Sequence, residues 1–248
     1  MSEPQWVYGV HAVRALLQQC PQRLRRLVLQ QRRDDERSRD IESLARTAGL
    51  RVERVDAEQI RRWVGEVVHQ GVLAQIEPLA PWTEADLVAA IAAVSDPLVL
   101  VLDGVTDPHN LGACLRTANA CGALAVVVPR DRAAGLNPTV RKVAAGAAEV
   151  TPIVTVTNLA RALKLLQEAG LWVVGADAAG PQLAADTDLT GPRALVLGAE
   201  GAGLRELTRR HCDYLVRLPQ YGSVESLNVS VATGMLLYEA VRQRTHGR

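Results

Sequence analysis

Residues 98–128 read LVLVLDGVTDPHNLGACLRTANACGALAVVV, and this stretch decides the fold. Leu98 to Leu102 is apolar without alternation, a polar loop bearing glycine then opens a segment with helical spacing, and Leu124 to Val128 is apolar again. A strand with no polar face has to be covered on both sides, which is the condition of a parallel sheet sandwiched between helices. The alternation continues downstream, predicting strands at 152–156, 172–175, 194–197 and 214–218 and helices at 111–121, 139–145, 159–169, 204–211 and 230–242. Upstream a smaller α/β pattern comprises helix 11–18, strand 27–30, charged helix 34–48, strand 51–55, short helix 58–64 and strand 72–77. The segment Pro78-Leu79-Ala80-Pro81-Trp82-Thr83 carries two prolines and follows no period, so it reads as a linker. The expected organisation is an α/β domain over 1–77, a linker and helix over 78–95, and a parallel α/β domain over 96–248.

Composition bounds the function classes. With 248 residues, 48% apolar and 22% charged, the chain can bury real cores and is not a disordered polyelectrolyte. No apolar run approaches the roughly 20 residues that span a bilayer, and MSEPQWVYGVHA lacks the basic-then-apolar layout of a signal peptide. A cytoplasmic location is the expectation. Cys20, Cys114, Cys121 and Cys212 form no CxxC pair and have no histidine at ligand spacing, so free, mostly buried thiols are expected, with no metal site. The net charge of +1 hides an asymmetry: residues 1–75 hold 13 basic and 10 acidic side chains, whereas 76–248 hold 15 and 17. Of the 28 basic residues 26 are arginine, whose planar fork suits phosphate and base recognition. The charge permits RNA binding in the N-terminal part, with Arg23, Arg25 and Arg26 as candidate phosphate contacts, but does not require it.

Loops at the carboxyl ends of parallel strands are where α/β proteins bind ligands. Three of them stand out. In the first, Asp103 to Gly112, Asn110 sits where an N-cap is expected, and Arg116 falls on the following helix between Leu115 and Thr117. Taken alone, Asn110 is only a cap and Arg116 only the partner of an acid. The second, Leu197-Gly198-Ala199-Glu200-Gly201-Ala202-Gly203, lets backbone N–H groups approach a ligand at a helix entrance. Its glycines follow GxxGxG rather than GxGxxG, and the next strand ends Arg217-Leu218-Pro219 without an acidic ribose ligand, which sets aside a nicotinamide site. The third, Tyr221 to Ala232, holds Ser226, Asn228 and Ser230; one of them suffices to cap the final helix, and the surplus suggests binding.

Together and in this order the loops resemble the three motifs of the TrmH-type branch of the SPOUT methyltransferases: N-x-G-x-x-x-R-T-A at 110–118, L-G-x-E-x-x-G at 197–203 and S-L-N-V-S-V-A at 226–232. The N-terminal part, from Tyr8-Gly9-Val10-His11-Ala12-Val13 through His69-Gln70-Gly71-Val72, resembles the family's ribosomal-protein L30e-like RNA-binding domain. The resemblance covers nearly the whole chain and is strongest to bacterial members that methylate a guanosine 2′-hydroxyl of 23S ribosomal RNA.

That resemblance implies S-adenosylmethionine as methyl donor, bound by groups matching Gly198, Leu218 and Leu227. It implies a catalytic set of Asn110, Arg116, Glu200, Ser226 and Asn228, with Ser226 and Asn228 positioning Arg116 and the donor. It further implies a deep trefoil knot from Leu195 onward, a homodimer with the active site near the subunit interface, and a target in the peptidyl-transferase P loop. The family proposal makes Arg116 the general base. Guanidinium groups stay protonated in proteins, so we expect Arg116 to bind phosphate and orient the ribose while Glu200 or a water takes the proton. A transfer-RNA guanosine 2′-O-methyltransferase carries the same motifs, and a catalytically silent RNA-binding assembly factor shares the fold; both readings stay open at this point.

Overall fold

The computed structural model describes residues 5–224 and 226–246, so Glu225 of the third loop lies outside the described residues. In chain order the elements are β1 (Gln5–Tyr8), α1 (Val10–Gln19), β2 (Leu24–Gln30), α2 (Glu36–Thr47), β3 (Val52–Val55), α3 (Ala57–Val64) and β4 (Val72–Ile76). They continue with α4 (Glu84–Ala92), β5 (Leu98–Asp103), α5 (Pro108–Ala120), β6 (Ala125–Pro129), α6 (Pro138–Val143), α7 (Ala147–Val150), β7 (Ile153–Val156) and α8 (Leu159–Glu168). The last are β8 (Trp172–Ala176), β9 (Gln182–Leu183), β10 (Arg193–Gly198), α9 (Glu206–Arg210), β11 (Tyr214–Arg217) and α10 (Val229–His246). Two compact units result, one from the residues up to Ala80 with Ala145–Val150, the other from Pro81–Ala144 with the chain from Thr151 onward. The segment 145–150 thus packs with the N-terminal unit although it lies among the strands and helices of the second. No helix among the described residues is long and apolar enough to cross a membrane.

The first unit is a four-stranded sheet in the order β1-β4-β2-β3. β4 runs antiparallel to both β1 and β2, while β2 and β3 are parallel. Because side chains alternate along a strand, Leu27 and Leu29 of β2 with Val72 and Ala74 of β4 face α1 and α2, and Val28 and Leu73 face α3. Helix starts follow side-chain chemistry: Asp35 caps α2 in a reciprocal box with Ser38, and Asp56 caps α3 through the amide of Gln59. Gly146, at φ +99°, lies where an added Cβ would meet Ala12 Cα and His11 O at 2.9 Å, so glycine is what lets this backbone approach α1.

The second unit is a seven-stranded sheet in the order β7-β6-β5-β10-β8-β11-β9, parallel at every junction. Val99, Val101, Val127, Ala194 and Val196 pack against α4 and α8 on one face. The alternate residues, Leu100, Leu102, Leu195 and Leu197, are equally buried beneath the opposite face, where α10 lies against both β10 and α5. This double coverage explains the unbroken apolar runs. Trp82, at the end of the expected linker, bridges to Val154 and packs on the core, so the linker is fastened before α4 begins.

Several boundaries depart from expectation. α5 starts at Pro108 rather than Leu111, because Asp107 accepts from the amide of His109 and proline at the first helical position needs no N–H partner. Asn110 is therefore inside the helix and is not its cap. β1 and β9 were not predicted; β9 has two residues, too few for a periodic signal. Of the four thiols only Cys114 is fully buried, the others being half-buried.

Candidate active site

The second and third motif loops form the walls of one cavity. β10 ends at Gly198, and the chain turns back at once: Gly203 N–H donates to Ala199 O at 2.9 Å, closing a tight loop over residues 199–203. A Cβ at Gly198 would lie 2.0 Å from Gly203 C and 2.1 Å from Gly203 O, so no other residue fits while the loop is closed. The exit is held by Asp103 at the end of β5, whose side chain is fully buried. One carboxylate oxygen of Asp103 accepts from the backbone N–H of Arg205 at 2.9 Å, the other from Arg205 Nε at 2.5 Å. The ion pair fixes where α9 begins relative to β5 and β10.

The cavity, about 350 Å³, is lined by Gly198 to Leu204, Leu218, Gln220, Ser226, Leu227 and Val229, with Ala176, Asp177 and Ala178 from the end of β8. Its volume is in the range of a small-molecule site. At one side the second loop meets the first and third. The Asn228 Nδ2 group donates to Asn110 Oδ1 at 2.9 Å and also to Glu200 Oε1. Asn228 Oδ1 accepts from the amides of Ser230 at 2.9 Å and Val231 at 3.3 Å and from Ser230 Oγ at 2.6 Å. One side chain thus caps α10 and ties the motif loops together, with every polar atom of its amide engaged.

Gly198, Leu218, Leu227, Ser226 and Glu200 thus share one cavity, and Asn110, Asn228 and Glu200 share one hydrogen-bond network. Arg116 stands apart. It is exposed on α5 and, among the described residues, makes no hydrogen bond or ion pair, so the acid expected as its partner is absent. Gly112, the glycine of the first motif, has a packing reason: a Cβ there would meet Val143 Cβ at 2.7 Å and Val140 O at 2.9 Å, where α5 and α6 touch.

The expected phosphate contacts of the N-terminal unit are already occupied. Arg23 donates to Glu77 O at 3.0 Å and to Glu149 O at 2.5 Å, and Arg25 pairs with Glu77. Arg26 is bidentate to Glu53 at 2.9 and 2.7 Å and lies over the stacked rings of Trp6 and Trp63. Strand pairing placed these carboxylates beside the arginines, which linear charge counting cannot see. Sequence reasoning also missed the β8 end, where Asp177 lines the cavity and pairs with Arg209 at 3.2 Å. The rule that ligands sit at strand carboxyl ends would have found it.

Residues 97–238 match the SpoU rRNA methylase family, and residues 6–82 match the RNA 2′-O ribose methyltransferase substrate-binding family. The chain belongs to the SpoU rRNA methylase family. It is 54% identical, over 100% of its length and 99% of the relative's, to the 23S rRNA (guanosine-2′-O-)-methyltransferase RlmB of Pseudomonas syringae. Its fold matches the SpoU methyltransferase AviRb of Streptomyces viridochromogenes, solved with AdoMet, at a TM-score of 0.75 and 30% identity over 99% of this chain and 92% of that one. The A. aeolicus TrmH/SpoU tRNA modifying enzyme covers only 64% of this chain, with 81% of its own length, at a TM-score of 0.55 and 29% identity. The SpoU family's catalytic match spans the cavity, all three motif loops and the Asp103–Arg205 anchor.

Proposed function

We propose that this protein transfers the methyl group of S-adenosylmethionine to the 2′-hydroxyl of a guanosine in 23S ribosomal RNA. The observation that carries this is the glycine-walled cavity lying beside the Asn110–Asn228–Glu200 network, in a chain matched end to end by a relative of that named activity. The transfer-RNA alternative is weaker, because the tRNA enzyme's structure matches little beyond one unit's worth of this chain.

The cavity fits the donor chemically. Its walls are alanine, leucine and glycine with backbone polar groups from 198–204, which suit a flat base and a ribose, and the close approach at Gly198 admits no side chain. Gly198, Leu218 and Leu227 would hold the donor, and when bound it supplies an electrophilic methyl on a sulfonium. The protein's own task is to orient the ribose hydroxyl and take its proton. Glu200, held by the amide of Asn228, or a water beside it accepts that proton. Asn110 fixes Asn228, and Ser226 stands in the cavity wall. Arg116 binds substrate phosphate and orients the ribose; its exposure, with no hydrogen-bond or ion-pair partner among the described residues, suits a group that waits for an anion.

A trefoil knot from Leu195 onward is supported by the strand order, since β10 re-enters between β5 and β8 and β11 then enters between β8 and β9. A homodimer is supported by Val231, Met235 and Tyr238, exposed at i, i+4 and i+7 on α10 as a continuous apolar stripe. The N-terminal unit is an L30e-like substrate-binding domain, the target lies in the peptidyl-transferase P loop, and the enzyme works in the cytoplasm. The test is methyl transfer from labelled S-adenosylmethionine to unmodified 23S rRNA and to unmodified tRNA, with the modified ribose mapped. Label on a P-loop guanosine supports the whole reading; label on tRNA alone moves the substrate, and no transfer with no donor binding favours a silent RNA-binding factor.

A further inference from the structure

The catalytic unit balances 15 basic against 15 acidic side chains, yet its cations are not spread evenly. Residues 130–142 hold Arg130, Arg132, Arg141 and Lys142 against the single acid Asp131, while the rest of that unit holds 11 basic and 14 acidic side chains. Many of the other cations are tied down: Arg161 to Glu84, Arg205 to Asp103, Arg209 to Asp177, Arg242 to Glu239 and Arg244 to Asp96. Arg132 and Lys142 are exposed and, among the described residues, make no ion pair or side-chain hydrogen bond. Arg130 is exposed and pairs with Asp131 at 3.6 Å, its one ionic partner among the described residues.

Placement makes this excess useful. The 130–137 segment follows the carboxyl end of β6 and is pinned to the first motif loop by the amide of Ala134 donating to Val105 O at 2.8 Å. A Cβ at Gly104 would lie 3.7 Å from Arg132 O, so the two loops touch. Arg132 holds a left-handed backbone at φ +57°, a conformation that costs energy for a residue with a Cβ. α6, which carries Lys142, packs on α5 at Gly112, and Arg116 is one helical turn further along that side of α5.

We propose that Arg130, Arg132 and Lys142 form a phosphate-binding ridge on the catalytic unit, continuous with Arg116, that grips the RNA backbone next to the ribose to be methylated. Its ligand is the phosphodiester chain, read without base specificity. This rests on RNA being the substrate. It also gives the catalytic unit its own hold on RNA, whereas of the three N-terminal arginines first suspected of that task Arg25 and Arg26 are paired with Glu77 and Glu53 and Arg23 donates to main-chain carbonyls.

The test uses the full-length protein, unmodified 23S rRNA transcript and salt between 50 and 200 mM, comparing the wild type with a variant carrying R130Q, R132Q and K142Q. Loss of three phosphate contacts should weaken RNA binding about tenfold or more and flatten the plot of log affinity against log salt by about 2. S-adenosylmethionine binding, measured by calorimetry, should be unchanged, and a variant with R130K and R132K should keep the wild-type salt slope. Wild-type affinity and slope in the glutamine variant would overturn the ridge while leaving the methyltransferase reading intact. A wild-type protein that binds the donor but no RNA would overturn both.

Discussion

Substituting Gly198 by alanine tests whether the closed 198–204 loop forms the donor site. The added methyl would stand 2.0 Å from Gly203 C, 2.1 Å from Gly203 O and 2.4 Å from Leu204 N. All three are backbone atoms, so no rotamer change relieves the clash; to reach ordinary contact the two arms must part by about 1.4 Å. That separation breaks the Gly203-to-Ala199 hydrogen bond and pulls on Leu204 and Arg205, which Asp103 holds in place. Overpacking of this kind costs roughly 1–3 kcal/mol. Because the strain falls in the cavity wall, it should appear as weaker binding of S-adenosylmethionine, by about 5- to 150-fold. Gly201→Ala is the control: its φ of +73° costs about 1 kcal/mol, but nothing lies within 4 Å of its Cβ, so donor affinity should fall much less. Calorimetric titration with the donor decides. A Gly198→Ala protein that binds within twofold of wild type would refute the loop's role.

Other consequences follow from single contacts. Asn228→Ala removes the cap of α10 and the bridge between Asn110 and Glu200, so kcat should fall at least tenfold with about 1 kcal/mol lost in stability; single-turnover kinetics beside thermal melting would show it, and an unchanged kcat would contradict the network's role. Asp103→Ala leaves the exit of the loop untied. Since Arg205 is about half-exposed, the loss in urea unfolding should be about 2 kcal/mol rather than the larger figure for a wholly buried pair. Burial pushes the Cys114 thiol up to about 11, and burial with nearby Asp213, Asp103 and Asp177 pushes Cys212 up to about 12, so iodoacetamide at pH 8 should spare both until urea unfolds the protein; rapid labelling of either in the folded state would count against the packing. Arg33, followed by the amide and hydroxyl of Ser38, holds Asp35 down to about 2 from 3.8, so its contribution to α2 is present above pH 4 and is lost as pH falls from about 4 to 2; Asp35→Asn should flatten that part of the acid-unfolding curve.

Much of the catalytic unit is legible along the chain because its causes are local. A strand buried on both faces must be apolar throughout, and β5, β6 and β10 are, so their existence and parallel setting can be read from LVLVL, AVVV and ALVL. The motif loops are equally plain, since glycines at 198, 201 and 203 and polar groups at 226, 228 and 230 mark backbone that must approach or hold something. Where two local causes competed, the stronger one moved a boundary: Asp107 with Pro108 outranked Asn110 as the start of α5, and the asparagine expected as a cap became an acceptor within the site.

The sequence by itself determined two α/β units, most of their strands and helices, the three polar loops and the family they resemble, because periodicity and turn chemistry act between near neighbours. Only the tertiary structure decided which side chains meet. Asn228 reaches Asn110 across 118 residues, and Asp103 reaches Arg205 across 102. Strand pairing in the N-terminal unit placed Glu53 and Glu77 against the arginines that charge counting had assigned to RNA, and segment 145–150 joined that unit from the far side of the chain. These are consequences of sheet order and register, and register is set by the packing of a whole face rather than by any stretch of sequence short enough to read alone.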